Sequence, residues 1–351
     1  MKPCRVLVVD DSALVRTLLT SILSREPDLE VVGTASDTVS ARRKILELDP
    51  DVLTLDIEMP GTDGLTFLKK LMQLRPMPVV MVSQYTLANS EAAVRALELG
   101  AVDCVAKPAM DVSGRLSEIG DELVSKIRSA ARVNRHALGT HPVPKRSGTT
   151  FGDERPRLCS GCLIAVGASV GGPVVVPRLL SDLPRWSPPV LLVQHMAAAF
   201  TASFVRRLAQ HAPMNVCEAS PGLEVLPGTV YVAPGDRHLK VVSAEGGAVC
   251  ELVDGERVQG HRPSVDVLFR SVLEVAGIRT IGVLLTGMGE DGARALKQIR
   301  DAGGTTVAQD EASSVVWGMP GAAVAMGAAQ HVWPLEEIGP RLISLFAPRQ
   351  C

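Results

Sequence analysis

Short apolar runs alternate with amphipathic segments along almost the whole sequence, and this alternation restricts the chain to a small set of α/β folds. A short apolar run suits a buried parallel strand, and apolar residues every three or four positions suit a helix packed on a sheet. The alternation fails once, at residues 138–158, where Pro and Gly accumulate among basic and hydroxyl side chains. We therefore predict two α/β domains, residues 1–137 and 159–351, joined by a flexible linker at 138–158.

Five apolar runs in the first half each precede an amphipathic segment, which predicts a doubly wound, five-stranded parallel sheet of flavodoxin-like topology. The predicted strands are 5–9, 30–35, 52–55, 79–83 and 103–107. In the second half, runs at 162–166, 190–193 and 280–285 predict a second parallel sheet in a larger domain. Short alternating segments at 229–233, 238–243 and 248–252 predict an antiparallel meander beside it.

Composition and charge argue against several classes of protein. The chain is 46% hydrophobic and 21% charged, with a net charge of −2, so it offers no broad attraction to nucleic acid or to an anionic membrane. We find no signal peptide and no apolar run of membrane-spanning length, and we expect a cytoplasmic protein without direct membrane insertion. Seven scattered cysteines suit reduced thiols. Cys159 and Cys162 could form a redox pair or half of a zinc site, but no second pair accompanies them.

Polar residues end the strands of the first predicted sheet, at the edge where ligands of open α/β sheets bind. They are Asp10, Asp11, Asp56, Ser83 and Lys107. Clustered carboxylates repel one another unless a cation such as Mg²⁺ binds between them. Asp56 can then attack a phosphoryl donor, Lys107 can neutralise the new charge, and the Ser83 hydroxyl can bond a phosphoryl oxygen. Taken singly, an aspartate in such a place is usually a solvated strand-end or helix-capping residue, and it is the five matching strand ends together that favour the site.

At this point the first half resembles the receiver domain of two-component response regulators. The motifs are Val-Asp10-Asp11-Ser, Asp56-Ile-Glu58-Met-Pro60-Gly and Lys107-Pro108. The resemblance implies phosphorylation of Asp56 by a partner histidine kinase, with Mg²⁺ held by the aspartates and the backbone carbonyl of Glu58. One residue departs from the family pattern, because Cys104 stands where receivers often carry an aromatic switch residue.

A second candidate site begins at the turn Gly167-Ala-Ser169-Val-Gly171-Gly, which follows an apolar run. A serine on such a strand-to-helix turn can expose its hydroxyl as a nucleophile, and the backbone N–H of Val170 can meet an oxyanion. The same turn could instead be a phosphate-binding loop. However, it lacks the Walker lysine and the dinucleotide glycine spacing.

A serine nucleophile needs a general base, and His195 directly follows the run 190–193 and Gln194. The remaining histidines end no comparable buried strand. Another glycine-rich strand-to-helix turn, Thr286-Gly-Met288-Gly-Glu290-Asp291, supplies a carboxylate that could orient the imidazole. The order Ser169, His195, Asp291 along the chain differs from that of α/β-hydrolases, in which the acid precedes the histidine.

With these residues assembled, the second half resembles the catalytic domain of chemotaxis protein-glutamate methylesterases, the CheB family. The shared motifs are Gly-Ala-Ser169-Val-Gly-Gly-Pro, Gln194-His195-Met, Arg262-Pro-Ser-Val-Asp266, Thr-Gly-Met288-Gly-Glu-Asp291 and Gly318-Met-Pro320. Val170 and Gly321 depart from the usual pattern, in which a threonine and a larger residue stand at these positions. The resemblance implies that the Met288 backbone N–H lies near the oxyanion, that the substrates are methyl-accepting chemoreceptors, and that receptor glutamines can be deamidated.

These residues predict a hydrolase in which Ser169, activated by His195, forms an acyl-enzyme with a glutamyl methyl ester and releases methanol, with no cofactor in the catalytic domain. The domain order suggests that the unphosphorylated receiver covers the Ser169 groove and that phosphorylation of Asp56 releases it. Three alternatives are weaker. A DNA-binding regulator would have a smaller, basic output domain, a nucleotide-dependent oxidoreductase would need an acid to bind the ribose, and a degenerate adaptor would not need all three triad residues.

Overall fold

The computed structural model describes residues 2–59, 63–83, 87–107, 115–133 and 161–346. The predicted linker, Pro60, Gly61, Pro108 and Cys159 lie outside these residues. The chain divides into two compact units, Met1–His141 and Pro142–Cys351, each with its own sheet. Within the described ranges, no helix is both long enough and apolar enough to traverse a bilayer.

Strands and helices alternate strictly in the first unit, as the sequence predicts. In chain order the elements are β1 Cys4–Val9, α1 Ala13–Leu23, β2 Leu29–Ala35, α2 Thr38–Leu48, β3 Val52–Asp56, α3 Gly64–Leu74, β4 Val79–Ser83, α4 Leu87–Glu98, β5 Asp103–Ala106 and α5 Arg115–Ala131. All five strands are parallel, in the order β2-β1-β3-β4-β5. The predicted five-stranded, doubly wound sheet is therefore confirmed.

Short polar side chains fix where the first three helices begin. Ser12, Asp37 and Asp63 precede α1, α2 and α3, and each side chain accepts a hydrogen bond from a backbone N–H of the first helical turn. These caps satisfy donors that a helix cannot satisfy internally. Because the cap for α1 lies just beyond β1, it also fixes the loop that carries Asp10 and Asp11.

The second unit is larger, and its elements continue the same numbering. They are β6 Leu163–Ala168, α6 Gly172–Asp182, β7 Val190–Gln194, α7 Ala198–His211, β8 Asn215–Glu218, β9 Thr229–Val232, β10 His238–Ala244, β11 Gly247–Val253, α8 Val265–Ala276, β12 Thr280–Leu284, α9 Ala293–Asp301, β13 Thr305–Gln309, α10 Met319–Ala325, β14 His331–Trp333 and α11 Leu335–Phe346. Seven strands form one parallel sheet, in the order β14-β13-β12-β6-β7-β9-β8.

Chain direction across this sheet reverses at β6. The connection through α6 leads from β6 to β7 on one side, whereas the later connection through α9 leads from β12 to β13 on the other. Right-handed crossovers therefore put α6 and α9 on opposite faces. Helix α6 packs against α7 and α11, and α9 packs against α8 and α10. The reversal opens a crevice beyond the carboxyl end of β6, the usual ligand position in such sheets.

Antiparallel pairing appears beside the parallel sheet, but in a smaller element than the predicted three-stranded meander. β10 and β11 form a hairpin with seven paired positions, from His238 opposite Val253 to Ala244 opposite Gly247. The segment that we grouped with them, β9, instead pairs in parallel with β7 and β8 inside the main sheet. Its alternating pattern is short, and four residues cannot distinguish a hairpin strand from a strand near the sheet edge.

Candidate functional sites

Two strand-end aspartates meet at the switch point of the first sheet. Asp10 follows β1 and Asp56 ends β3, and these strands are neighbours. Both side chains are buried, and carboxylate oxygens of Asp10, Asp11 and Asp56 lie within 4.8 Å of one another. Lys107 Nζ lies 3.0 Å from Asp10 Oδ2 and 2.7 Å from Asp56 Oδ2. Three carboxylates thus face one ammonium group in a small oxygen-lined cluster.

The electrostatics of this cluster suit a bound cation. Burial raises the pKa of Asp56 to about 6, and the neighbouring Asp10 adds to the effect despite a hydrogen bond from Lys107. Burial alone would lower the pKa of Lys107, but its bonds to Asp56 and Asp10 raise that pKa, so the lysine remains a cation. The excess negative charge and the hard oxygen donors fit Mg²⁺, which prefers carboxylate and water ligands.

The remaining residues predicted for this site lie around Asp56. Glu58 is exposed, and its backbone N–H donates to Asp56 Oδ1 at 3.2 Å. Ser83 is buried at the end of β4, the strand next to β3, and its carbonyl accepts from the Lys107 N–H. Gly64 packs so closely that a Cβ there would lie 2.1 Å from the Asp56 carbonyl oxygen. A side chain at position 64 would therefore displace the loop that follows the aspartate.

Cys104 occupies a buried position in β5, where its Sγ approaches the Ala93 carbonyl oxygen of α4 at 3.6 Å. Beside it, Lys126 of α5 bonds the Cys104 carbonyl and pairs with Asp103 and Glu122. The position at which receivers often carry an aromatic ring thus holds a small, buried thiol in this chain, and that thiol lies against α4.

A second site lies at the carboxyl ends of three adjacent strands, β12, β6 and β7. Ser169 follows β6, and His195 follows β7 directly beside it, with the His195 N–H donating to the Ala168 carbonyl at 3.0 Å. Asp291 lies in the turn after β12. His195 Nε2 bonds Asp291 Oδ2 at 2.9 Å. The structure therefore brings together the three residues that the sequence singles out.

The hydrogen bonds of His195 indicate which ring nitrogen can act as a base. Asp291 is held as a carboxylate, so Nε2 carries the proton of that bond, and in the neutral imidazole Nδ1 then holds the lone pair. Nδ1 is buried and has no hydrogen-bond partner among the described residues. A buried acceptor of this kind needs a donor, and a hydroxyl group would serve.

Asp291 accepts more hydrogen bonds than the sequence suggests. Oδ1 accepts from the Ser264 hydroxyl at 2.8 Å and the Asp266 N–H at 3.1 Å, and Oδ2 accepts from the Val265 N–H at 2.8 Å. Asp291 thus caps the N-terminus of α8, although it lies on a different loop. Burial acts to raise its pKa, but the bonds from His195, Val265 and Ser264 outweigh burial and lower it. The carboxylate is therefore ionised at neutral pH.

Two glycines and a glutamine hold the nucleophile turn. Gly171 has φ +82°, a conformation that side chains rarely adopt, and a Cβ at Gly172 would lie 1.8 Å from Gln194 Oε1. Gln194 Nε2 donates to the Ser169 carbonyl at 2.8 Å and the His195 carbonyl at 3.1 Å. One buried amide therefore connects the loops of the serine and the histidine.

The peptides of Val170 and Met288 are the two predicted to bind an oxyanion. Thr286 lies two residues before Met288 and bonds the Val170 turn. Its hydroxyl donates to the Val170 carbonyl at 2.9 Å and accepts from the Val316 N–H at 2.9 Å. The Thr286 carbonyl accepts from the Ser169 N–H at 3.0 Å. The turn holding Met288 continues past Gly287, at which a Cβ would lie 2.8 Å from Ser169 Cβ. Both peptides therefore lie in segments fixed beside the serine.

Sequence reasoning missed Ser264, Thr286 and His261. His261 stacks on the His195 ring with centroids 3.8 Å apart and 9° between the planes. Ser264 lies within the Arg-Pro-Ser-Val-Asp motif, His261 immediately precedes it, and Thr286 opens the Thr-Gly-Met-Gly motif. These motifs were the available signal, but the spacing alone does not show that they approach the triad.

Two family models match this chain, and curated relatives align with nearly all of it. A family model described as CheB methylesterase matches residues 164–342, and one described as response regulator receiver domain matches residues 6–114. A protein-glutamate methylesterase/protein-glutamine glutaminase of Xanthomonas campestris pv. campestris is 49% identical, and the alignment covers 98% of each chain. One of Thiobacillus denitrificans is also 49% identical over 98% of this chain and 97% of its own.

A solved structure resembles the second unit. The CheB methylesterase catalytic domain of Thermotoga maritima superposes with a TM-score of 0.52 at 38% identity, covering 53% of this chain and 99% of that domain. The similarity therefore extends over almost all of that catalytic domain.

Proposed function

Since the chain belongs to the CheB methylesterase family and carries a receiver domain ahead of its catalytic part, we propose that Ser169, His195 and Asp291 are its catalytic triad. The enzyme is a receiver-controlled protein-glutamate methylesterase and protein-glutamine glutaminase of chemotaxis. The observation that most supports the triad is the 2.9 Å bond between His195 and Asp291, formed directly beside the Ser169 turn.

In the proposed mechanism, His195 Nδ1 takes the proton of the Ser169 hydroxyl while Oγ attacks the side-chain carbonyl carbon of a glutamyl methyl ester. The positive charge on the resulting imidazolium is balanced by the Asp291 carboxylate, which itself stays unprotonated. The backbone N–H groups of Val170 and Met288 are placed to stabilise the tetrahedral oxyanion. His195 then protonates the leaving methoxide as methanol, and a water molecule hydrolyses the acyl-enzyme by the reverse sequence.

The same acyl-enzyme accounts for glutaminase activity, because a glutamine side chain differs in its leaving group. Attack on the amide carbonyl leads to an identical glutamyl ester of Ser169, and His195 protonates the amide nitrogen, which leaves as ammonia. Amides are less reactive than esters, so we expect this route to be slower under the same conditions.

We also propose that the protein is cytoplasmic, that Asp56 is its phosphorylation site and that a chemotaxis histidine kinase is the phosphodonor. Mg²⁺ held by Asp10, Asp11, Asp56 and the Glu58 carbonyl would neutralise charge on the phosphoryl group when bound. Lys107 lies between the two buried aspartates, so it can remain paired when Asp56 gains a phosphoryl group. Ser83, at the end of the neighbouring strand, supplies a hydroxyl for a phosphoryl oxygen.

The proposed substrates are methyl-accepting chemoreceptors.

Methanol release from methylated chemoreceptor membranes tests both sites in one experiment. The wild type, Ser169→Ala and Asp56→Asn are each assayed with and without acetyl phosphate and Mg²⁺. We expect the phosphodonor to stimulate the wild type, Asp56→Asn to retain unstimulated activity, and Ser169→Ala to be inactive in both conditions. Turnover by folded Ser169→Ala would refute the nucleophile assignment. Negligible release by every form would indicate another protein ester, or an adaptor without catalysis.

A further inference from the structure

The stacked pair of histidines is a feature of the site that the triad mechanism does not use. His261 is partly buried, and its ring lies nearly parallel to that of His195, at 9°, with a centroid distance of 3.8 Å. His195 has one hydrogen bond along its ring edge, to Asp291. A single bond leaves an imidazole free to pivot about that bond, and a flat contact on one face removes this freedom.

The loop that carries His261 is held independently of the stack. Val258 and His261 exchange backbone hydrogen bonds at 3.0 and 2.9 Å, and Arg262 Nη1 donates to the Gly255 carbonyl at 2.8 Å. Gln259 Nε2 donates to Asp266 Oδ2 at 3.0 Å. At the end of the loop, the Ser264 N–H donates to Nδ1 of the buried His238 at 3.2 Å.

These contacts make His261 a fixed surface for His195. We propose that His261 is a positioning residue, whose ring keeps the plane of His195 aligned so that Nε2 faces Asp291 and Nδ1 faces the Ser169 turn. This inference rests on the proposed function of His195 as the general base. In this role His261 takes no proton from the substrate, and it acts through His195.

The charge state of His261 is compatible with this role. The groups that face it are His195 after β7, Asp291 after β12 and Arg257 on its own loop. Burial and the neighbouring His195 lower the pKa of His261 to about 4, although Asp291 opposes them. His261 is therefore neutral at the pH of the cell. A neutral ring avoids repelling the positive charge that His195 acquires during the reaction.

The experiment compares a flat side chain with a non-flat one of similar volume, in the full-length protein activated by acetyl phosphate and Mg²⁺. His261→Phe keeps an aromatic face and cannot titrate, whereas His261→Leu and His261→Ala lack that face. We expect kcat to fall about tenfold in the Leu and Ala variants with KM within twofold of wild type, and to stay within about threefold of wild type in the Phe variant. Thermal melting identifies any variant that does not fold.

The tautomer of His195 provides a readout that loop packing alone would not change. Side-chain nitrogen NMR should show one Nε2-protonated form in wild type and His261→Phe, and mixed tautomers in His261→Leu. Equal kcat for the Leu and Phe variants, with an unchanged His195 signal, would overturn the proposal. Ser169→Ala serves as the separate control, because its turnover would refute the underlying triad regardless of position 261. If the Ala variant does not fold, the comparison of Leu with Phe decides the question.

Discussion

Asp291 has two roles in the catalytic unit that a single carboxylate rarely combines. It bonds His195, and it accepts three further hydrogen bonds from Ser264, Val265 and Asp266 at the start of α8. Each of its oxygens therefore accepts two donors. An asparagine has one acceptor oxygen where aspartate has two. It therefore cannot accept all four hydrogen bonds at this position.

We therefore expect Asp291→Asn to reduce kcat at least about a hundredfold and the free energy of unfolding by about 1–3 kcal/mol. The amide cannot balance the imidazolium, and its NH₂ group must face donors that now lack an acceptor. Methanol release and chemical denaturation measure the two effects. Glu290→Gln is the matched control, because the Glu290 side chain is 45% exposed and pairs with the exposed Arg294. Stability equal to wild type in Asp291→Asn would contradict the capping role.

The sequence predicted Ser169, His195 and Asp291 as a group because each follows an apolar run, and strand ends meet at one edge of a parallel sheet. It could not predict His261 or Ser264 in the same way. Those residues lie in a loop whose conformation depends on groups far along the chain, such as His238 on β10 and Asp291 after β12. Contacts of this range leave no periodic pattern in the sequence.

At the scale of elements, the nucleophile turn depends on a close approach between two strand-to-helix connections. Gly172 begins α6 where the Gln194 side chain crosses from the end of β7. The helix can start there because the residue has no Cβ, and Gln194 can then bond both the Ser169 and the His195 carbonyls. The two connections thus share one amide instead of packing as separate loops.

Gly172→Ala should consequently lower both activity and stability. The added methyl group would lie 1.8 Å from Gln194 Oε1, so Gln194 or α6 must move. We expect a loss of about 1–3 kcal/mol in the free energy of unfolding, and at least a tenfold fall in kcat. Gly247→Ala is the control, because nothing lies within 4 Å of a Cβ at that position. If the two variants behaved alike, the contact with Gln194 would not matter.

Apolar runs between turns located several strands closely. The fully buried runs of β4 and β7 were located to within one residue, because a run of Val and Leu between turns is compatible with few alternatives. β9, which we predicted as part of the antiparallel meander, is short and lies near the edge of the parallel sheet. Its pairing with β7 and β8 depends on where β8 lies in the sheet, and no local sequence pattern predicts that position.

At the scale of the whole molecule, each unit has its own sheet and core. Separate cores give each unit its own unfolding equilibrium, so a substitution in one unit should alter mainly the transition of that unit. The carboxylate cluster of the first unit provides a test, because burial of the Asp56 charge, and then repulsion from Asp10, oppose folding.

Asp56→Asn should stabilise the first unit at neutral pH when a chelator removes divalent cations. The pKa of Asp56 is about 6 when folded against 3.8 as the reference, so between these values the folded state binds more protons than the unfolded state. The stability of the wild type therefore falls as pH rises from about 4 to 6. Asparagine has no such penalty, and we expect a gain of about 1–3 kcal/mol at pH 7 that disappears below about pH 4.

Calorimetry across this pH range measures the effect and assigns it to a transition. The catalytic unit should melt at an unchanged temperature, and Glu30→Gln, an exposed carboxylate on β2, should leave both transitions unchanged. A destabilised Asp56→Asn variant at pH 7 would mean that the bond from Lys107 outweighs burial of the charge.

The β10–β11 hairpin divides the proposed catalytic machinery between two stretches of chain. Ser169 and His195 precede its exposed turn at Glu245 and Gly246, whereas His261, Ser264 and Asp291 follow it. A break in the backbone at this turn would leave the base on one polypeptide and its carboxylate on the other. Seven cross-strand pairs and the parallel contacts of β6 with β12 would still join the two pieces. Hydrolysis by such a divided enzyme would then report the association of its fragments.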